Sequence, residues 1–133
     1  MSEEKKIKVV LLEPGKLART AEIGTSIEDL QNAVDGLIEP FYPFEEQVCI
    51  VCNDEGKING MLPNRSVKNK DGVMVDFIFG PAFLCDCRGE SFDSLSDEQI
   101  ARYTKMFRYP EHLARLNGKL IGIPFNPQRE HER

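Results

Sequence analysis

The chain contains no tryptophan, only two histidines, and no apolar run near the roughly 18 residues of a membrane-spanning helix. Each absence narrows the range of functions. Without tryptophan, one common platform for stacking a sugar or a base is missing. The histidines, His112 and His131, both fall near the C-terminus, and neither a Ser/His/Asp order nor an HExxH pattern exists. Hydrolysis built on imidazole chemistry is therefore not expected. No glycine-rich phosphate loop occurs either. The opening Met1-Ser2-Glu3-Glu4-Lys5-Lys6 has no apolar core of a secretory leader, which predicts a cytoplasmic protein in a reducing compartment.

The 133 residues present are enough for one domain, and two would each be too small for a sound core. Hydrophobic residues at 41% and charged residues at 29% give a globular rather than a disordered balance. The formal charge of −5 is unevenly spread. Residues 1–101 hold 10 basic and 19 acidic side chains, whereas residues 102–133 hold 7 basic and 3 acidic ones. An acidic body argues against general nucleic-acid binding, which needs a basic face to release counterions. Arg102, Lys105, Arg108, Arg115 and Lys119 read first as helix-end and solvated charge, with a nucleic-acid face as the alternative.

Hydrophobic periodicity outlines the elements. Ile7 to Leu12 is apolar on both faces, which suits an interior strand, and Glu13-Pro14-Gly15 turns it. A second strand over 17–23 would complete a hairpin. Thr25 or Ser26 caps a helix whose stripe is Ile27, Leu30, Val34 and Leu37, with Gly36 as its stop. Pro40 and Pro43 make residues 38–44 an edge strand or a bent connection. Val48 to Cys52 is another interior strand, and residues 57–65 read as irregular, followed by a polar loop over 66–72. Val73, Val75, Phe77 and Phe79 alternate, Gly80-Pro81 turns, and Phe83, Cys85 and Cys87 alternate again, which predicts a hairpin. Ser96 and Gln99 form a capping box, with Leu95 stapling onto Ile100 and a stripe of Ile100, Tyr103 and Phe107. A turn of helix and a short strand over 119–125 follow, then a frayed tail from residue 126. These elements predict an α+β fold: a mixed, mainly antiparallel sheet of about five to six strands with two helices packed on it. One crossover, within 17–52, is the candidate for a parallel pair.

Four cysteines stand at 49, 52, 85 and 87. In a strand, Cys49 and Cys52 point to opposite faces, so they do not suit one metal ion. Buried reduced thiols are the favoured reading, ahead of metal ligation or a disulfide. No cofactor or metal is expected. The connection from Asn53 to Arg65 is the candidate ligand site. It gathers Asn53, Lys57, Asn59, Asn64 and Arg65 between strands, where a guanidinium fork beside amides suits a phosphate or carboxylate. The plainer reading is turn geometry for the asparagines and an ion pair for Arg65.

The segments Leu12-Glu13-Pro14-Gly15, Ile27 to Val34 with Gly36, Cys52-Asn53-Asp54-Glu55-Gly56-Lys57, Asn59-Gly60 and Pro63-Asn64-Arg65 carry a family likeness. So do Gly80-Pro81-Ala82-Phe83 and Phe92 to Ile100. Over residues 7–107 the chain resembles an uncharacterised family, domain of unknown function thirty-eight forty-six. The resemblance implies a setting in bacteriophages, plasmids and related mobile elements, and no established activity. Residues 1–107 then form a single α+β domain, and 108–133 a C-terminal extension, partly flexible.

The functional expectation is a non-enzymatic accessory protein that modulates host physiology or defence. It would sequester a small anionic ligand such as a nucleotide at Asn64 and Arg65, in a homo-oligomer without a membrane partner. The alternative is an acidic protein–protein inhibitor, a nucleic-acid mimic of the antirestriction kind, acting on a host protein.

Overall fold

A computed structural model describes residues 5–130. Strand β1 (Lys6–Leu12) pairs antiparallel with β2 (Arg19–Gly24), the predicted N-terminal hairpin. Helix α1 (Ile27–Val34) leads to β3 (Ile38–Phe41), and β4 (Val48–Asn53) returns beside it. Strand β5 (Pro63–Lys68) pairs with β6 (Met74–Phe79) as a separate ribbon, and β7 (Ala82–Asp86) re-enters the main sheet. Helix α2 (Asp97–Met106) precedes a second ribbon, β8 (Glu111–Leu116) with β9 (Lys119–Pro124), and the single turn α3 (Pro127–Glu130).

The main sheet has the order β2-β1-β7-β4-β3, and every ladder in it is antiparallel. The crossover expected within 17–52 exists, but it links β2 at one edge to β3 at the other. Those strands never meet, so no parallel pair forms. Pro40 sits on edge strand β3, where its missing N–H costs no ladder bond.

Both faces of the sheet are buried. Ile7, Val9, Cys49, Val51, Phe83 and Cys85 meet Leu30 and Val34 of α1. Val10, Leu12, Val48, Ile50 and Leu84 meet Tyr103 of α2 and its C-cap Phe107 together with Val67 and Ile78 of the first ribbon. Each such side chain contributes roughly 1.5–3 kcal/mol when fully buried, so this two-sided packing is the main source of stability.

Both helices start as read. The Ser26 hydroxyl accepts from Asp29 N–H, and the Ser96–Gln99 capping box closes in both directions. The stripe of α1 is shorter than expected. Asp35 turns left-handed (φ 60°) and ends the helix, so Leu37 falls out of phase and is exposed, as is Ile27. Gly36 follows at a close approach: a Cβ there would lie 2.5 Å from Asn53 Nδ2.

Three further expectations are corrected. Strands β6 and β7 are not a hairpin; Gly80-Pro81 passes the chain from the ribbon to the sheet centre. All five residues of β7 are buried, so only an interior slot between β1 and β4 covers both of its faces, whereas β6 leaves Val75 exposed. Residues 63–68 are a strand, not irregular chain and loop, because β6 supplies their partners. Residues 111–116 are a strand rather than a helical turn. Asn117 (φ 51°) and Gly118 (φ 79°) make the tight turn that a two-residue hairpin needs. The expected frayed tail falls partly on α3 and partly on residues 131–133, which, like residues 1–4, lie outside the described residues. Among the described residues no helix is long and apolar enough to cross a membrane.

Cys49 and Cys52 do face opposite sides of the sheet. Cys49 and Cys85 are cross-strand partners, fully buried, with sulfurs 3.7 Å apart; Cys52 and Cys87 are half-buried, and all four are free. Burial pushes the Cys52 and Cys87 thiols up to about 11.

Candidate ligand-binding groove

The five residues selected from the sequence do not converge. Arg65 is fully buried, and all five of its N–H donors are engaged. Nε donates to Phe107 O at 2.6 Å, Nη1 to Glu13 O and Asn64 Oδ1, and Nη2 to Lys16 O and Arg108 O. Asn64, equally buried, donates to Leu12 O and Gly80 O at 3.0 and 2.8 Å. A register shift between Pro63 and Arg65 places this adjacent pair inward together, which a regular strand with alternating faces does not do. Burial lowers Arg65 to about 10, still cationic at neutral pH. The guanidinium is thus a tie between the β1–β2 turn, β5 and the end of α2. No donor is left over for a ligand or for the carboxylate of an ion pair.

Asn53 is also structural: Nδ2 donates to Val34 O and Asp35 O and closes the C-terminus of α1, while Oδ1 accepts from Glu55 N–H. Lys57 pairs with Asp76 at 3.1 Å, and Asn59 is exposed on the turn. Asn53 and Lys57 do line a cavity of ≈ 350 Å³, but it also presents Glu39, Asp54, Glu55 and Asp76. Four carboxylates against one lysine repel an anion.

A larger cavity, ≈ 770 Å³, lies between α2, the loop before β4, and β5. This falls within the usual volume range of small-molecule sites. Its apolar floor is Phe44, Tyr103, Met106 and Phe107. The rings of Phe44 and Tyr103 sit 4.8 Å apart, Phe107 meets Phe44 edge-on, and Met106 remains 57% exposed. Charge rings the floor. Glu46 accepts from Gln99 Nε2 at 2.8 Å and pairs with Arg102, whose guanidinium lies 5.1 Å over the Tyr103 ring. Glu111 accepts from the Ser66 amide and hydroxyl, Lys70 pairs with Glu45, and Lys68 has no ion-pair partner among the described residues. The α2 stripe and Arg102 were visible in the sequence. Phe44, Glu46 and Lys68 carried no signal, because Glu46 and Arg102 are 56 residues apart.

Hydrogen bonding to Arg102 holds the Glu46 carboxyl below the usual carboxylate range, and burial pushes the Tyr103 phenol up to about 12. A lowered acid stabilises the fold above its unfolded value of 4.5, and that contribution is lost as pH falls through the lowered folded value. Glu46→Gln is expected to cost about 0.5–1 kcal/mol at pH 7, since both partners touch solvent. Urea unfolding of both proteins at pH 7 and in acid reads this out; a gap that persists undiminished in acid would mean packing, not charge, holds Glu46.

Among curated proteins and among solved structures, none matches the chain. Among the described residues no group of three potential metal ligands is assembled. The family model described as Domain of unknown function (DUF3846) matches residues 7–108, a span that includes the sheet, both long helices and most of the groove, and the chain belongs to that family.

Proposed function

We propose that the protein is a binding protein whose α2–β5 groove takes a small ligand with an apolar, planar part and an anionic group, a nucleotide being the first chemistry to test. The observation that carries this reading is an aromatic floor with Lys68 uncommitted at its rim. Apolar area supplies affinity there, and a free cation selects the anionic end. Binding rather than catalysis is supported by the state of the groove's titratable pair. Glu46 is held ionised and Tyr103 protonated, and neither is poised near neutrality for proton transfer. In the mobile-element setting that the family resemblance implies, holding such a ligand would withdraw it from a host process. The rival reading, an acidic inhibitor that mimics nucleic acid, is weakened by where the charge goes. Glu13, Asp76 and Asp93 are spent on Arg19, Lys57 and Lys5 within the chain.

Thermal shift and calorimetry with linear and cyclic nucleotides test the proposal. Stabilisation by at least one is expected, and Lys68→Glu should weaken it about tenfold, the value of one charge-assisted bond. No stabilisation by any of them, or unchanged affinity in the variant, removes this reading.

A further inference from the structure

The C-terminal ribbon forms another cavity, of ≈ 540 Å³, lined by Tyr109, Pro124, Phe125, Asn126 and Arg129. It differs in chemistry from the two described above. The smaller of those presents four carboxylates and the groove three, whereas among the described residues no carboxylate lines this one. It lies within the stretch where basic residues outnumber acidic ones by seven to three. Arg129, on its rim, is in no ion pair among the described residues.

Each of its two aromatic walls is packed against a neighbouring side chain. His112 stacks on Phe125 with ring centres 3.9 Å apart and planes at 10°, and the Arg108 guanidinium lies 5.4 Å over the Tyr109 ring. The Phe125 amide donates to Pro110 O at 3.0 Å, which ties the strand end carrying Phe125 to the segment carrying Tyr109. Asn126 uses its Oδ1 to accept from the Gln128 amide, and its Nδ2 has no hydrogen-bond partner among the described residues. Two packed rings, one amide and one guanidinium lining one opening match the parts of a nucleotide. Aromatic faces stack a base of any identity, an amide bonds a base edge, and guanidinium forks pair with phosphate.

We infer that this cavity binds a nucleotide unit, with its base against Tyr109 and Phe125 and its phosphate on Arg129. The source is either a free nucleotide or one residue of a single strand, since both present the same base and phosphate. The site lies beyond the residues matched to the family and shares no lining residue with the α2–β5 groove, so it does not depend on that reading.

Fluorescence anisotropy with a short labelled oligothymidylate at low salt, and competition by free AMP and thymidine monophosphate, test the inference. Binding is expected, with Phe125→Leu weakening it about tenfold through the loss of stacking. Arg129→Gln, a surface change that leaves the core untouched, should flatten the dependence of log affinity on log salt by about 0.7 for each phosphate that Arg129 neutralises. Lys68→Glu should leave this binding unchanged, which separates it from the groove. An oligonucleotide bound far more tightly than either monophosphate identifies a strand as the source; equal affinities identify the free nucleotide. No binding of any of these probes, or full affinity retained in both Phe125→Leu and Arg129→Gln, overturns the site.

Discussion

Replacing Arg65 with alanine is expected to destabilise the protein by about 4–5 kcal/mol, the largest effect of any single side chain outside the apolar core. Four backbone carbonyls, those of Glu13, Lys16, Phe107 and Arg108, and the Asn64 amide oxygen lose their donor at once. Each of these bonds is buried or part-buried, and an unpaired polar group there is costly while a satisfied one contributes little. The total is smaller than the sum of five bonds because water enters part of the space. A lysine restores the charge but not the planar fork, so Arg65→Lys should recover less than half of the loss. Urea unfolding reads the free-energy loss, and thermal unfolding should show a fall in Tm of about 15 °C for a domain of this size. A loss below about 1 kcal/mol would show that the acceptors find water easily and that the tie is dispensable. The same experiment separates the structural role from a ligand cradle, in which the variant would fold normally and fail only to bind.

Phe83→Ala should cost about 4 kcal/mol, within the range for truncating a buried aromatic. Phe83 lies on β7, the middle strand of the sheet, and is fully buried against Leu30 and Val34 of α1 with Cys49 and Val51 beside it. Its neighbours on the sheet are held by ladders on both sides, at Leu11 and at Val51, so the hole cannot collapse. Phe83→Leu keeps most of the volume and should lose about 1–1.5 kcal/mol. Denaturant midpoints with an unchanged slope are the check. Similar losses for the two variants would mean that the ring is not closely packed. Stabilities of natural domains run to about 5–15 kcal/mol, so either truncation brings the protein close to unfolding.

The two helix starts, the interior character of β1 and β4, the N-terminal hairpin and, as one of two readings, the edge position of β3 were legible in local pattern. Capping chemistry acts within four residues, and a strand apolar on both faces has only one kind of place to go. The Asn117-Gly118 turn carries a local signal too, since that dipeptide favours the left-handed backbone of a tight hairpin, although a helical turn is what the flanking residues led us to expect. The neighbours of β6 and β7 were not legible. Their alternation suits a hairpin as well as it suits two separate sheets, and only the vacant slot between β1 and β4 decides between them.

The candidate site shows the same division more sharply. An arginine beside an asparagine has equal composition whether it faces a phosphate or a set of carbonyls. The bulge at Asn64 turned both inward, and chain segments some 50 residues away supplied their acceptors. The groove that replaces them joins Phe44, Lys68 and Tyr103, which no spacing rule connects. By itself, the sequence determined where the two long helices start, the strands β1, β4 and β7 as strands, which faces of those elements are apolar and which family the chain resembles, because those follow from forces between near neighbours. The tertiary structure alone decided strand order, the structural role of Arg65 and where a ligand has room, because each depends on which distant groups satisfy a buried donor or leave a cavity unfilled.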